Sequence, residues 1–103
     1  MKIIAVTSCP VGMAHTYMAS AALKKAAEKL GAQIKVETQG FMGIQDRITQ
    51  QDIEEADVLI LAADVALMEG ERFSNLPTLH TTTSKIIKNS ETIIQEAITL
   101  AAQ

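Results

Sequence analysis

Thr7-Ser8-Cys9-Pro10-Val11-Gly12-Met13-Ala14-His15-Thr16-Tyr17 joins two patterns of different period. Before it, Ile3-Ile4-Ala5-Val6 is an apolar run too short for a typical helix and rich in β-branched residues, which predicts a buried strand over Lys2 to Ser8. After it, Met18, Ala19, Ala22, Leu23, Ala26, Ala27 and Leu30 recur every three or four residues, the stripe of an amphipathic helix. That helix is expected from about Ala14 to Leu30, with Gly31 as the residue that ends it in the left-handed region. The only cysteine of the chain therefore sits where a strand stops and a helix is about to start. Free backbone N–H groups and the positive end of the helix dipole converge at such a junction, which suits a thiolate or a bound oxyanion. A thiol so placed is a usable nucleophile at neutral pH.

Further along, Ile34-Lys35-Val36-Glu37-Thr38 alternates, which predicts an edge strand with one face exposed. It opens into Gln39-Gly40-Phe41-Met42-Gly43-Ile44, where two large apolar side chains stand between glycines, either as a plug on the core or as part of a binding surface. Thr49 with Asp52 forms a variant capping box, and Ile48 with Ile53 a hydrophobic staple, so a helix of about two turns is expected to finish near Ala56. Val58-Leu59-Ile60-Leu61-Ala62-Ala63 has no polar alternation and reads as a central parallel strand covered on both faces. A short strand over Thr78 to Thr81 follows a turn at Asn75-Leu76-Pro77. From Ser84 onward a helical period carries Ile86, Ile87, Ile93, Ile94, Ala97 and Ile98. A break is expected near Asn89, with an unbroken helix the close alternative. Right-handed crossovers between these elements give an α/β fold, a three-layer Rossmann-like sandwich with a four-stranded, mainly parallel sheet and helices on both faces.

The bulk composition narrows the function classes. With 103 residues and 48% hydrophobic content the chain is expected to be one domain, 1–103, with a single aliphatic core. Nine basic against 12 acidic residues give a net charge of −3, which argues against nonspecific nucleic-acid binding. One cysteine cannot close an intrachain disulfide, no signal peptide is recognisable, and Asp64 stops the longest apolar run well short of a membrane span. A protein of the reducing cytosol, without membrane insertion, is the expectation.

In an open α/β sheet, ligands bind beyond the carboxyl ends of the strands. Cys9, Gly40 and Asp64 each follow a proposed strand at that edge. Around Cys9 the loop Pro10, Val11, Gly12, Met13, Ala14, His15 and Thr16 can wrap an anion: Gly12 to Thr16 offer N–H groups, and Thr16, with Ser8 as a further candidate, can add a hydroxyl. A packed, inert cysteine is the plain alternative, but packing alone explains a Cys before Pro-x-Gly poorly. His15 either tunes Cys9, faces a partner or merely caps the helix. Asp64 is a general acid or base, or a cap for the turn that follows. The loop holds no arginine to clamp phosphoryl oxygens, which favours a thiophosphate that survives to be passed on over one that is hydrolysed. No C-x-x-C pair, nucleotide-binding glycine loop or metal-ligand spacing is present, so neither cofactor nor metal is expected.

Thr7 to Thr16 resembles the phosphorylation loop of the fructose-specific type of IIB component of the bacterial phosphoenolpyruvate-dependent sugar phosphotransferase system. The likeness continues through Val36-Glu37-Thr38-Gln39-Gly40, Ile53 to Asp64 and Arg72-Phe73. It covers most of the chain up to about Pro77. The resemblance implies a four-stranded parallel sheet with helices on both sides and a phosphoryl group carried on Cys9. It also implies a IIA phosphohistidine as donor and a sugar held by the membrane IIC component as acceptor, with the work done in the cytoplasm or at the inner face of the membrane through IIC. Phe41 stands where the family loop more usually has a small polar residue, and Ser74-Asn75 also departs from the usual pattern. Val11, Met13, Phe41 and Met42 are expected to ring the cysteine as a dry contact patch for both partners. The runner-up function is a small cysteine-dependent phosphatase or an arsenate-reductase-like enzyme.

Overall fold

A computed structural model describes residues 1–8, 13–40, 43–63, 70–73 and 76–103, with the backbone alone at Met13 and Ala14. The elements in chain order are β1 (Lys2–Ser8), α1 (Met13–Lys29), β2 (Gln33–Gly40), β3 (Gly43–Gln45), α2 (Gln50–Glu55), β4 (Val58–Ala63), a 3-10 turn (Gly70–Phe73), β5 (Thr78–His80) and α3 (Thr83–Ala101). The sheet order is β3-β2-β1-β4-β5. β1 lies parallel between β2 and β4, β5 is parallel to β4, and only β3 runs antiparallel, against β2.

The central strands are apolar on successive residues because both their faces are covered. Ile3, Ala5, Val36, Val58, Ile60 and Ala62 meet Ala19, Leu23, Ala26 and Ala27 of α1 and Ile86, Ile93, Ile94 and Ala97 of α3. On the other face Ile4, Val6 and Leu59 pack with Ile48 and Phe73, and Ile53, Ala56, Leu61 and Leu76 close the edges. The second layer is thinner: α2 buries none of its residues completely. The short helix is held by that packing of Ile53 and Ala56 and by its cap. Thr49 Oγ1 accepts from the N–H of Asp52 at 3.1 Å, and Asp52 Oδ2 accepts from the N–H of Thr49 at 2.9 Å, the reciprocal bonds expected from the sequence.

α1 ends as its glycine predicts. Gly31 has φ +75°, the N–H of Gly31 bonds to the carbonyl of Glu28 at 3.2 Å, and that of Ala32 bonds to Ala27 at 2.9 Å, a Schellman closure. α3 carries a non-helical residue at Asn89 (φ −140°, ψ 50°), so the expected break between a short and a longer helix is present.

Three expectations need correction. The sheet has five strands, because Gly43-Ile44-Gln45 turns back along β2 as a short antiparallel strand. The carboxyl half of β2, Thr38 to Gly40, is therefore not an edge, and the expected exposed face is absent there: Val36, Glu37, Thr38 and Gln39 are all buried. Met18, assigned to the apolar stripe of α1, is 52% exposed. It sits about 100° round the helix from Ala19, and the small alanines let α1 approach the sheet along a seam too narrow to include it.

Candidate functional site

The ladder fixes where the strands end. Ser8 stands opposite Gln39 of β2 on one side and Ala63 of β4 on the other, so three carboxyl ends lie in one row at a strand spacing of about 4.8 Å. The stretches that follow them in sequence, 9–12, 41–42 and 64–69, are outside the described residues, and with them the expectations for Cys9, Pro10, Val11, Gly12, Phe41, Met42 and Asp64. The expected contact ring of Val11, Met13, Phe41 and Met42 is likewise outside what is described.

Of the remaining candidates, Ser8 is buried at the end of β1 and Gly40 closes β2 opposite Gly43. His15 and Thr16 lie in the first turns of α1. His15 is exposed, whereas Thr16 is 1% exposed. The carbonyl of Thr16 accepts from Thr7 Oγ1 at 3.5 Å, tying α1 to β1 one residue before the strand ends. Its own Oγ1 is buried and has no hydrogen-bond partner among the described residues. A buried hydroxyl left so costs about 1–3 kcal/mol, which makes a near-universal rule of protein interiors fail in the first turns of the helix after the cysteine. An acceptor of anionic character at this end of α1 would satisfy it. Thr81 Oγ1, just beyond β5, is likewise buried without a partner among the described residues.

The sequence did not reveal the polar cluster beneath this edge. Glu37 has no exposed surface, yet its carboxylate lies on the apolar face that holds Ile4, Val6 and Phe73. Four hydrogen bonds hold it there: Arg72 Nη2 to Oε2 at 2.8 Å, Arg72 Nη1 to Oε1 at 3.1 Å, Gln39 Nε2 to Oε2 at 2.8 Å and the N–H of Ile48 to Oε1 at 2.8 Å. Arg72 Nη1 also donates to the carbonyl of Ile48 at 3.0 Å, and its guanidinium lies 4.6 Å from the centre of the Phe73 ring. Burial pushes the Glu37 carboxyl up, but the bonds from Arg72, Gln39 and Ile48 outweigh it and leave the group below the usual carboxylate range. Val36 to Gly40 and Arg72-Phe73 carried the family resemblance. Their pairing was hidden, because acid and guanidinium are 35 residues apart.

A second tie crosses the other side of the sheet. Tyr17 donates its hydroxyl to Gln45 Oε1 at 2.6 Å, linking α1 to β3, and Thr38 Oγ1 reaches the same oxygen at 3.5 Å. Tyr17 and Met18 are 46% and 52% exposed, so apolar surface lies open beside the first turn of α1. The other charged cluster is remote: Lys2 bonds Asp52 at 3.2 Å and Glu55 at 3.0 Å at the amino end of β1. Among the described residues no group of three His, Cys, Asp or Glu side chains could hold a metal ion, and no helix is long and apolar enough to cross a membrane.

The sequence profile of the family described as "PTS system, Lactose/Cellobiose specific IIB subunit" matches residues 4–96. The chain belongs to the IIB family of the sugar phosphotransferase system. Curated relatives agree: the "PTS system fructose-like EIIB component 1" of Escherichia coli strain K12 is 45% identical over 92% of this chain and 88% of its own length. The "PTS system 2-O-alpha-mannosyl-D-glycerate-specific EIIABC component" of the same strain is 46% identical over 95% of this chain, which spans only 15% of that longer protein. Among solved structures, a domain of a fructose-specific IIABC component from Borrelia burgdorferi superposes with a TM-score of 0.88 at 45% identity, covering 95% of this chain and 93% of that one. The Enzyme IIB subunit of Escherichia coli K12 gives 0.90 at 44% identity, covering 98% and 94%. The IIB assignment carries a sugar phosphotransfer role with it.

Proposed function

We propose that this IIB chain is a phosphoryl carrier of the fructose-like type, accepting the group on Cys9 from a IIA phosphohistidine and passing it to a sugar bound by the membrane IIC component. In the first transfer the P–N bond to imidazole breaks as the Cys9 thiolate forms a P–S bond. In the second, the P–S bond breaks as a sugar hydroxyl takes the phosphorus and gives its proton to a base on the acceptor side. Pro10, Val11, Gly12, Met13, Ala14, His15 and Thr16 form the phosphoryl-binding loop in this reading, with Ser8, Gly40 and Asp64 in support. Residues 1–103 make one IIB unit working in the cytoplasm, at the inner face of the membrane when IIC is engaged.

The observation that carries the reading is the buried, unpartnered hydroxyl of Thr16. It lies in the opening turns of α1, and the strand before it ends at Ser8, the residue that precedes Cys9. A phosphoryl oxygen supplies the acceptor that hydroxyl lacks. The open surface of His15, Tyr17 and Met18 beside it suits protein partners that dock one after the other.

The phosphatase reading is disfavoured by Arg72, whose terminal nitrogens are both bonded to the buried Glu37 carboxylate. A guanidinium so committed is a poor clamp for a phosphoryl group in flight. The two readings separate by chase. The phosphorylated chain, isolated and left alone, keeps its group for the length of the assay and loses it when vesicles bearing IIC and a transported sugar are added. Rapid loss to water, with turnover on a small phosphomonoester, contradicts the carrier reading.

A further inference from the structure

We infer that Arg72 is a positioning residue for phosphoryl transfer, acting through Glu37 and Gln39 to fix the carboxyl end of β2 against Ser8. The inference rests on the carrier reading above.

The register supplies the connection. Val6 stands opposite Glu37 and Ser8 opposite Gln39. Residues two apart on a strand share a face, so Glu37 and Gln39 lie on the same side of β2, joined by their 2.8 Å bond. Arg72 meets Glu37 through both terminal nitrogens and holds the Ile48 carbonyl, while Glu37 holds the Ile48 N–H. One guanidinium thus binds three segments far apart in sequence: the end of β2, the chain entering α2, and the 3-10 turn before β5.

Stability does not explain this choice of residues. The cluster sits among Ile4, Val6, Ile48 and Phe73, and a buried ion pair in such surroundings is often matched or bettered by apolar residues of the same volume. The planar fork of arginine offers fixed directions, which a flexible ammonium or an apolar side chain cannot. Directions matter at this edge because a misplacement of about 1 Å in a transfer site costs on the order of 100-fold in rate.

The test uses single-turnover transfer to the full chain from a panel of phosphorylated IIA domains at varied concentration, with thermal unfolding measured in parallel. In Glu37→Gln with Arg72→Met, no charge is left buried alone and the glutamine oxygen still accepts from Ile48. This double variant is expected to remain folded, yet its maximal transfer rate falls about tenfold or more with the half-saturating IIA concentration unchanged. Arg72→Lys, which keeps the charge and loses the fork, is expected to be slow in the same way. A wild-type maximal rate in either folded variant overturns the inference, and so does a change confined to the half-saturating concentration, which assigns Arg72 to docking. Failure of the wild-type chain to take a phosphoryl group removes the carrier reading itself, an outcome distinct from a variant that transfers normally.

Discussion

Ser8 and Gln39 face each other on the last rung that β1 shares with β2, and Gln39 spends its side-chain amide on the buried Glu37 carboxylate at 2.8 Å. The end of the strand that leads to Cys9 is therefore registered against a neighbour that is itself anchored through Glu37 to Arg72, far along the chain.

Thr16→Val is expected to separate stability from function. Valine has the shape of threonine without the hydroxyl, so it removes a buried donor that has no partner among the described residues. Denaturant unfolding is expected to show unchanged or increased stability, by up to about 1 kcal/mol. The rate of phosphoryl uptake is expected to fall. Destabilisation by more than about 1 kcal/mol would mean that the hydroxyl already has a partner in the resting protein.

Leu23 lies wholly buried where α1 meets the sheet. Leu23→Ala is expected to cost about 2–5 kcal/mol in urea unfolding, the lost transfer energy plus the cavity left behind. A cost under about 1 kcal/mol would show that the seam between α1 and the sheet collapses onto the smaller side chain.

Acid stability is expected to depend on Asp52. Its carboxyl is lowered from 3.8 to about 2, first by the Thr49 N–H, against a contrary push from burial, and further by the Thr49 hydroxyl and Lys2. A depressed folded-state value means that the unfolded chain binds the proton more readily. The stabilisation is present above about pH 4 and disappears as pH falls toward 2. Asp52→Asn is expected to flatten that part of the thermal-stability profile by on the order of 1 kcal/mol, allowing for solvent screening. An unchanged profile in the variant contradicts the assignment.

Local signals were legible where the physics is local. The β-branched run at Ile3-Ile4-Ala5-Val6, the unbroken apolar run from Val58 to Ala63, the stop at Gly31, the box at Thr49 and Asp52, and the break at Asn89 each depend on near neighbours in sequence, and each appears in the fold. The strand Gly43–Gln45 is not legible in the sequence, because three residues carry no period of their own and pair only through β2. In sequence Glu37 reads as solvent-facing, because the alternation of Ile34-Lys35-Val36-Glu37-Thr38 is that of a half-exposed strand. Its burial depends on Arg72, whose approach is a property of the folded chain. The placement of Thr16 in the first turns of α1 followed from the helical stripe, but its unpartnered hydroxyl is visible only once the surrounding groups are assigned.

The carrier role stands or falls with the sulfur of Cys9. The decisive measurement is the intact mass of the chain after incubation with phosphoenolpyruvate, the general phosphotransferase proteins and a panel of IIA domains. A single phosphoryl adduct is expected on the wild-type chain and none on Cys9→Ala, with the two proteins equally folded by circular dichroism. An adduct that persists in Cys9→Ala, or a wild-type chain that stays unmodified across the panel, contradicts it.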